Sequence, residues 1–310
     1  MTPMTTRLLL LDSAGLYFRA FYGVPERSAP SGVPTNAVRG FLDMLAVLLE
    51  KAQPSHLVAC WDNDWRPSFR VAAIPSYKSH RVADASGAED VPAALQVQVP
   101  LIVDALAALG IARLGSDGYE ADDVIGTLTD RHKAAMPVDI VTGDRDLFQL
   151  VDDTTGPVRV VYTAKGGVRT PDVVDEAQLR EKYAISSGPA YADMAVLRGD
   201  PSDGLPGVPG IGEKTAAALI TKYGDLAALR AALAAGDPAI KGAQRARLES
   251  SAAYLDVAPA VVAVARDAPL DEVDLAVPDR VADPALMSRL ATEHRLTASF
   301  DRVLNALAIA

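Results

Sequence analysis

The 310-residue chain predicts an α/β domain built on a central, mostly parallel sheet, followed by a helical domain. Three observations carry that expectation. Short apolar runs at 8–11, 57–61 and 138–142 each lead straight into an aspartate: Asp12, Asp62 and, one glycine later, Asp144. Stretches of helical period separate the runs, as crossover helices separate parallel strands. Beyond Pro171 strand signals give way to helices, and we place the two domains at 1–180 and 181–310.

Arg-Leu-Leu-Leu-Leu at 7–11 reads as a buried strand that delivers Asp12 at its C-terminal end. Residues 16–22 follow, with Arg19 among aromatics. Val38, Leu42, Leu45 and Leu49 fall on one face of a helix over 35–51. The second strand, 57–61, contains Cys60, the sole cysteine, which reads as core; an intramolecular disulfide and a thiolate metal cage are both excluded. Arg66, Phe69, Arg70, Tyr77, Lys78, His80 and Arg81 make the next stretch basic with interleaved aromatics and without a clean period. It reads either as a phosphate-gripping segment or as a solvated loop. A helix is expected over 96–109. Ala121, Val124, Ile125 and Leu128, at i, i+3, i+4 and i+7, give another helix its core-facing stripe. Residues 158–163 and 168–170 read as a hairpin around Ala164-Lys165-Gly166-Gly167. Helices are then expected over 171–183, 191–198, 213–223, 226–234 and 241–255, and from about residue 277 onward.

The chemistry lies in the acids between these elements. Glu120, Asp122 and Asp123 open a helix, where side chains lean toward the N-terminus and free N–H groups tolerate negative charge. Alone, they would read as capping acids. Asp12, Asp62 and Asp144 sit where open α/β sheets place their sites, outside the carboxyl ends of the strands. Asp146 follows two residues later, and Asp200 and Asp203 occupy a Pro/Gly-rich turn spanning 199–215. Nine carboxylates in one place would repel one another strongly without cations. Oxygen donors with no Cys or His among them select Mg²⁺ or Mn²⁺. Two such ions roughly 4 Å apart would activate a water and stabilise the leaving oxygen of a phosphodiester. That is nuclease chemistry. The turn's last part, Gly210-Ile211-Gly212-Glu213-Lys214, opens a helix and offers N–H groups and one lysine to an anion, without the spacing of a nucleoside-triphosphate loop.

A formal net charge of −10 argues against a nucleic-acid partner only until those nine acids are set aside, after which acids and bases are almost equal in number. No run is long enough for a signal segment or a membrane span, which argues for the cytoplasm and against a membrane partner.

The motifs LLLLDSAGLYFRAF, WDNDWRPSFR, SYKSHR, GYEADDVIGTL, VTGDRDLFQL and GDPSDGLPGVPGIGEKTA span residues 7 to about 220. In them the chain resembles the bacterial and phage 5′ nucleases, the flap endonuclease family that includes the 5′-exonuclease domain of DNA polymerase I. No polymerase domain follows, so a stand-alone member is expected. The resemblance implies a PIN-like catalytic domain with a helical arch at about 66–95, and a helical domain with a helix–three-turn–helix motif. It implies that Asp12, Asp62, Glu120, Asp122 and Asp123 serve one metal group and that Asp144, Asp146, Asp200 and Asp203 complete a second. Lys78 and Arg19 match basic residues near the scissile phosphate. Tyr77, Arg81 and Arg70 are expected to touch DNA at the arch. Gly210, Gly212 and Lys214 match the turn that holds duplex backbone, often with K⁺ on main-chain carbonyls. Gly204 departs from the pattern, since relatives commonly carry Asn there.

The activity implied is 5′–3′ exonuclease and flap endonuclease cleavage of DNA with 5′ flaps, nicks or gaps, in replication or repair, by a monomer with two or more Mg²⁺ or Mn²⁺. The competing readings are a metal-stabilised DNA-junction binding module without cleavage and a PIN-type endoribonuclease.

Overall fold

Apolar runs at the expected places form the strands of the structure, a computed structural model that describes residues 5–29, 32–85 and 87–309. The first half comprises β1 (Thr5–Asp12), α1 (Ser13–Gly23), α2 (Asn36–Ala52), β2 (Pro54–Trp61), α3 (Ser68–Ala73), α4 (Ala93–Gln96), α5 (Val99–Leu109), β3 (Ala112–Gly115), α6 (Ala121–His132), β4 (Val138–Thr142), β5 (Val158–Tyr162) and β6 (Asp172–Val174). The rest is helical: α7 (Glu176–Tyr183), α8 (Gly188–Arg198), α9 (Glu213–Tyr223), α10 (Leu226–Ala234), α11 (Gly242–Ser250), α12 (Ala252–Val262), α13 (Pro284–Glu293) and α14 (Thr297–Leu307). The sheet runs β3-β2-β1-β4-β5-β6, parallel throughout except for β6. Strand order reverses direction at β1, so the crevice between β1 and β4 opens at their C-terminal ends.

Side chains alternate between the two faces of β1, and each face feeds its own core. Leu8 and Leu10 join Val124, Ile125 and Leu128 of α6, and that core continues without a break into α8, α9 and α12. Leu9 and Leu11 pack beneath α2 and α5. Cys60 is fully buried and unpaired.

Several expectations need correction. β3 is not among the expected strands, being only four residues long and too short to show a period. The hairpin's second strand is β6 rather than 168–170, because 166–170 close on themselves through Thr170 N–H to the Gly166 carbonyl. α7 starts at Glu176, not at Pro171, where the Asp175 carboxylate accepts the Gln178 N–H at 2.8 Å. The single helix expected over 241–255 is two, broken at Ser251 (φ −95°, ψ 10°).

The last helices return to the sheet. Leu290, Phe300 and Val303 pack with α2 and α5 on the sheet side. The connection runs along β2, where Leu57 N–H donates to the Leu275 carbonyl at 2.8 Å and Val277 N–H to the Ser55 carbonyl at 3.0 Å. Within 181–310, α13 and α14 thus pack on the sheet side and not with α8, α9 and α12.

Candidate active site

Local chemistry fixes each acid at the C-terminal edge of the sheet. Asp12 ends β1 and caps α1, with Oδ1 accepting the Gly15 N–H at 3.0 Å and Oδ2 the Thr142 hydroxyl at 2.8 Å. A Cβ on Gly15 would sit 2.5 Å from Asp12 Oδ2, so the turn after β1 has no room for a side chain there. Asp62 accepts the N–H of Ala121 at 2.8 Å and so ties β2 to the start of α6. Asp144 accepts the Asp146 N–H at 2.9 Å. Asp200 accepts the Ser202 N–H at 2.8 Å, and Asp203 Oδ1 lies 2.8 Å from the Arg81 guanidinium.

A cleft of about 600 Å³ is lined by Asp12, Asp62, Glu120, Asp122, Asp144 and Asp200, with Lys78 and Arg81 among them in its wall. Asp146 and Asp203 stand behind the wall, close enough to repel each other and Asp144. Burial, augmented by the charges of Asp62 and Asp144, raises the Asp12 carboxyl to about 6. Burial also pushes Asp122 up, with Asp144 and Asp12 adding to it, and Asp146 up, with Asp144 and Asp203 adding to it. Among the described residues no hydrogen bond or ion pair holds the Asp122 carboxylate. Nor do three Asp, Glu, His or Cys side chains there close a cage around an ion. An open set of carboxylates suits Mg²⁺, which keeps several waters and shares phosphate oxygens rather than filling an all-protein cage.

Asp123 does not belong to this set. Its side chain is 0% exposed and its two oxygens accept four N–H groups: Arg70 at 2.6 and 2.7 Å, Ala265 at 2.8 Å and Glu120 at 3.1 Å. A carboxylate has about four lone-pair positions, so none is left for a metal. Arg70, 2% exposed, is accordingly a structural partner and not a DNA contact; it also donates to Glu120 at 3.2 Å and to the Val261 carbonyl at 3.0 Å. Tyr77 is corrected for the same reason. It is 3% exposed, and its hydroxyl donates to Glu120. Glu120 faces the cleft but is engaged by Tyr77, Arg70 and the Lys78 ammonium, the last at 2.7 Å. Burial raises its carboxyl to about 7 against the pull of Lys78 and Arg70.

Lys78 lies in the left-handed region at φ +47°, and its N–H donates to the Asp203 carbonyl at 2.9 Å. Arg19 sits apart from the acids. Its guanidinium donates to the Ala164 carbonyl at 3.1 Å, and it is not among the residues that line the cleft. Gly210 (φ +71°) and Gly212 are exposed in the turn before α9, with Lys214 exposed in its first turn. Arg247 of α11 reaches this turn, 3.5 Å from the Gly210 carbonyl, and a Cβ on Gly210 would lie 2.6 Å from its guanidinium. Sequence reasoning passed over Arg247, and Tyr17 and Trp65 in the cleft wall. No local signal links a residue of α11 to a turn 37 positions away.

Residues 7–184 match the family described as 5′-3′ exonuclease, N-terminal resolvase-like domain, and residues 187–281 match 5′-3′ exonuclease, C-terminal SAM fold. The chain belongs to the 5′–3′ exonuclease family. A 5′-3′ exonuclease of Streptomyces coelicolor is 56% identical over 304 residues, covering 96% of this chain and 99% of that one. One from Mycobacterium tuberculosis is 46% identical over 318 residues, covering 98% of each. The bacteriophage T5 D15 flap endonuclease, solved as a pseudo-enzyme-product complex with DNA and metal ions, shares the fold. Its TM-score is 0.63 at 15% identity, over 97% of this chain and 99% of that one. Like its family, this 5′–3′ exonuclease chain pairs a resolvase-like α/β domain with a helical one, and it is a nuclease by descent. No helix among the described residues is long and apolar enough to cross a membrane.

Proposed function

We propose that the protein hydrolyses DNA phosphodiester bonds as a divalent-metal-dependent 5′ nuclease, removing 5′ flaps and digesting from nicks and gaps as a cytoplasmic monomer. One observation carries the reading. Asp122, half-buried and without a donor of its own, faces Asp12 and Asp144 in a cleft that also presents Lys78. Acids so placed outnumber the cations of the cleft, and an all-oxygen donor set fits Mg²⁺ or Mn²⁺. Asp12, Asp62 and Asp122, with Asp144, Asp146, Asp200 and Asp203, would hold two or more ions. When bound, such ions supply an activated water and stabilise the leaving oxygen.

The chain's own groups do the rest. Glu120 holds Lys78 at the cleft wall, where its ammonium stabilises charge developing on phosphoryl oxygens. Arg81 sits at the same wall and orients the entering strand. Arg19, held at the Ala164 carbonyl and not in the cleft wall, receives phosphates farther from the reacting one. The N–H groups of Gly210 and Gly212, with Lys214 and Arg247, grip duplex backbone without reading bases, and carbonyls of the 207–212 turn offer a place for K⁺.

The test is single-turnover cleavage of a 5′-labelled flap in Mg²⁺. Lys78→Ala should slow cleavage by about 10²–10³-fold while flap affinity, measured in Ca²⁺, changes little. Absence of Mg²⁺- or Mn²⁺-dependent cleavage by the unmodified protein would overturn the reading.

A further inference from the structure

A second cavity lies toward the opposite end of the strands. Its volume is about 490 Å³, and it opens on the sheet face that carries Leu9. Parallel sheets are ordinarily covered on both faces. Here α2 and α5 cover the β1 side, and among the described residues the end of α2 and the loop that carries Val168 are what line the cavity over β4, β5 and β6. Strand register builds the floor in two rows. Val141 pairs with Val161 and Val161 with Val173, giving an apolar row beside Leu9. Asp139 pairs with Arg159 one step toward the strand starts, next to Arg7.

The charges around this floor are predominantly positive. Asp139, the only acid in the wall, is buried and already neutralised by Arg7 at 2.7 Å and Arg159 at 3.0 Å. Lys51 at the end of α2 and Arg169 of the loop complete the rim, both exposed and both without an ion-pair partner among the described residues. Four cations against one acid, in a chain of net charge −10, is a local inversion. Val161 is half-buried and Val173 is 46% exposed, so the apolar row reaches solvent. Arg7 and Asp12 lie five residues apart along β1, which places this mouth roughly 16 Å from the acidic cleft.

We propose that this cavity docks an acidic peptide segment of a partner protein, with a large apolar side chain on the valine row and carboxylates on Lys51, Arg169 and the outer edges of Arg7 and Arg159. Nucleic acid fits less well. Its phosphates would meet the cations, but nothing in a duplex backbone satisfies a valine floor. Small apolar ligands would leave the rim charges unused. A short peptide satisfies both, and an apolar anchor ringed by charge is how interfaces concentrate their affinity.

The test uses the full chain and a set of fluorescein-labelled hexapeptides mixing Asp or Glu with Leu, Phe or Trp, followed by anisotropy. At least one member should bind saturably. Lys51→Glu combined with Arg169→Glu, and separately Val173→Asp, should each weaken binding roughly tenfold or more, with thermal melting and flap cleavage unchanged. Unlabelled flap DNA should not compete. Failure of every peptide, affinity that survives the charge reversals, or displacement by flap DNA would each overturn the proposal, the last by marking a nucleic-acid surface instead.

Discussion

The Arg70–Asp123 pair shows how one acid of a cluster takes a different role from its neighbours. Asp123 follows Asp122 in sequence, yet a rotation of 100° carries it from the cleft to the interior, where Arg70 reaches it from α3 across 53 residues. Both groups are essentially inaccessible, so neither charge is screened by water. Arg70→Ala leaves a buried carboxylate with half its donors gone and should cost on the order of 3–5 kcal/mol, read as a lowered urea midpoint. Arg70→Met, which keeps much of the volume, leaves the same charge and should be nearly as harmful. In contrast, Mn²⁺ affinity measured on the still-folded Arg70→Met protein at low denaturant should change little. A large loss of metal affinity with stability intact would place Asp123 back among the ligands. No single-residue signal in the sequence separates Asp122 from Asp123, because the distinction depends on a partner that is remote in the chain.

At the scale of elements, the segment 74–81 and the turn 200–205 act as one piece. Ser76 Oγ donates to the Gly204 carbonyl at 2.8 Å, Lys78 N–H to the Asp203 carbonyl at 2.9 Å, and Arg81 to the Ser202 carbonyl at 3.0 Å. Gly204 makes the contact possible: at φ +72° it lies so close that a Cβ would stand 2.1 Å from the Ser76 carbonyl oxygen. The departure at this position thus has a physical role, a close backbone approach that a side chain would forbid. Gly204→Ala should lift 76–81 off the turn, increase trypsin cleavage at Lys78 and Arg81, and slow single-turnover flap cleavage about tenfold or more. An unchanged trypsin pattern would mean that the two elements are held together elsewhere. The strands' periods were legible because β1, β2 and β4 are continuous apolar runs, whereas β3 is four residues and α3 lies in a stretch read only as basic and aperiodic. Short elements of this kind owe their form to tertiary contacts, which no local pattern records.

Across the whole molecule, the positions of the acids were readable because topology does the collecting: parallel strands deliver their last residues to one edge. The return of α13 and α14 to the sheet was not readable, since amphipathicity tells which face of a helix is buried but not against what. The same topology sets how stability responds to pH. Asp12 rises from 3.8 to about 6 on folding, chiefly through burial, so between those values the folded chain holds a proton that the unfolded chain has released. Asp62, Asp122, Asp146 and Asp203 shift in the same direction, and Glu120 rises from 4.5 to about 7. For each, stability is greatest below the unfolded pKa and is lost as pH rises through the folded one. Metal-free protein should therefore become less stable from about pH 4 to about pH 7, by on the order of 3 kcal/mol for Asp12 alone. Saturating Mg²⁺ should flatten that dependence, because ions replace the protons and their binding releases them. The measurement is urea unfolding across this pH range in EDTA and in Mg²⁺. A metal-free protein that grows more stable over the range would show that Lys78, Arg70 and Arg81 already neutralise the cluster, leaving no charge for cations to balance.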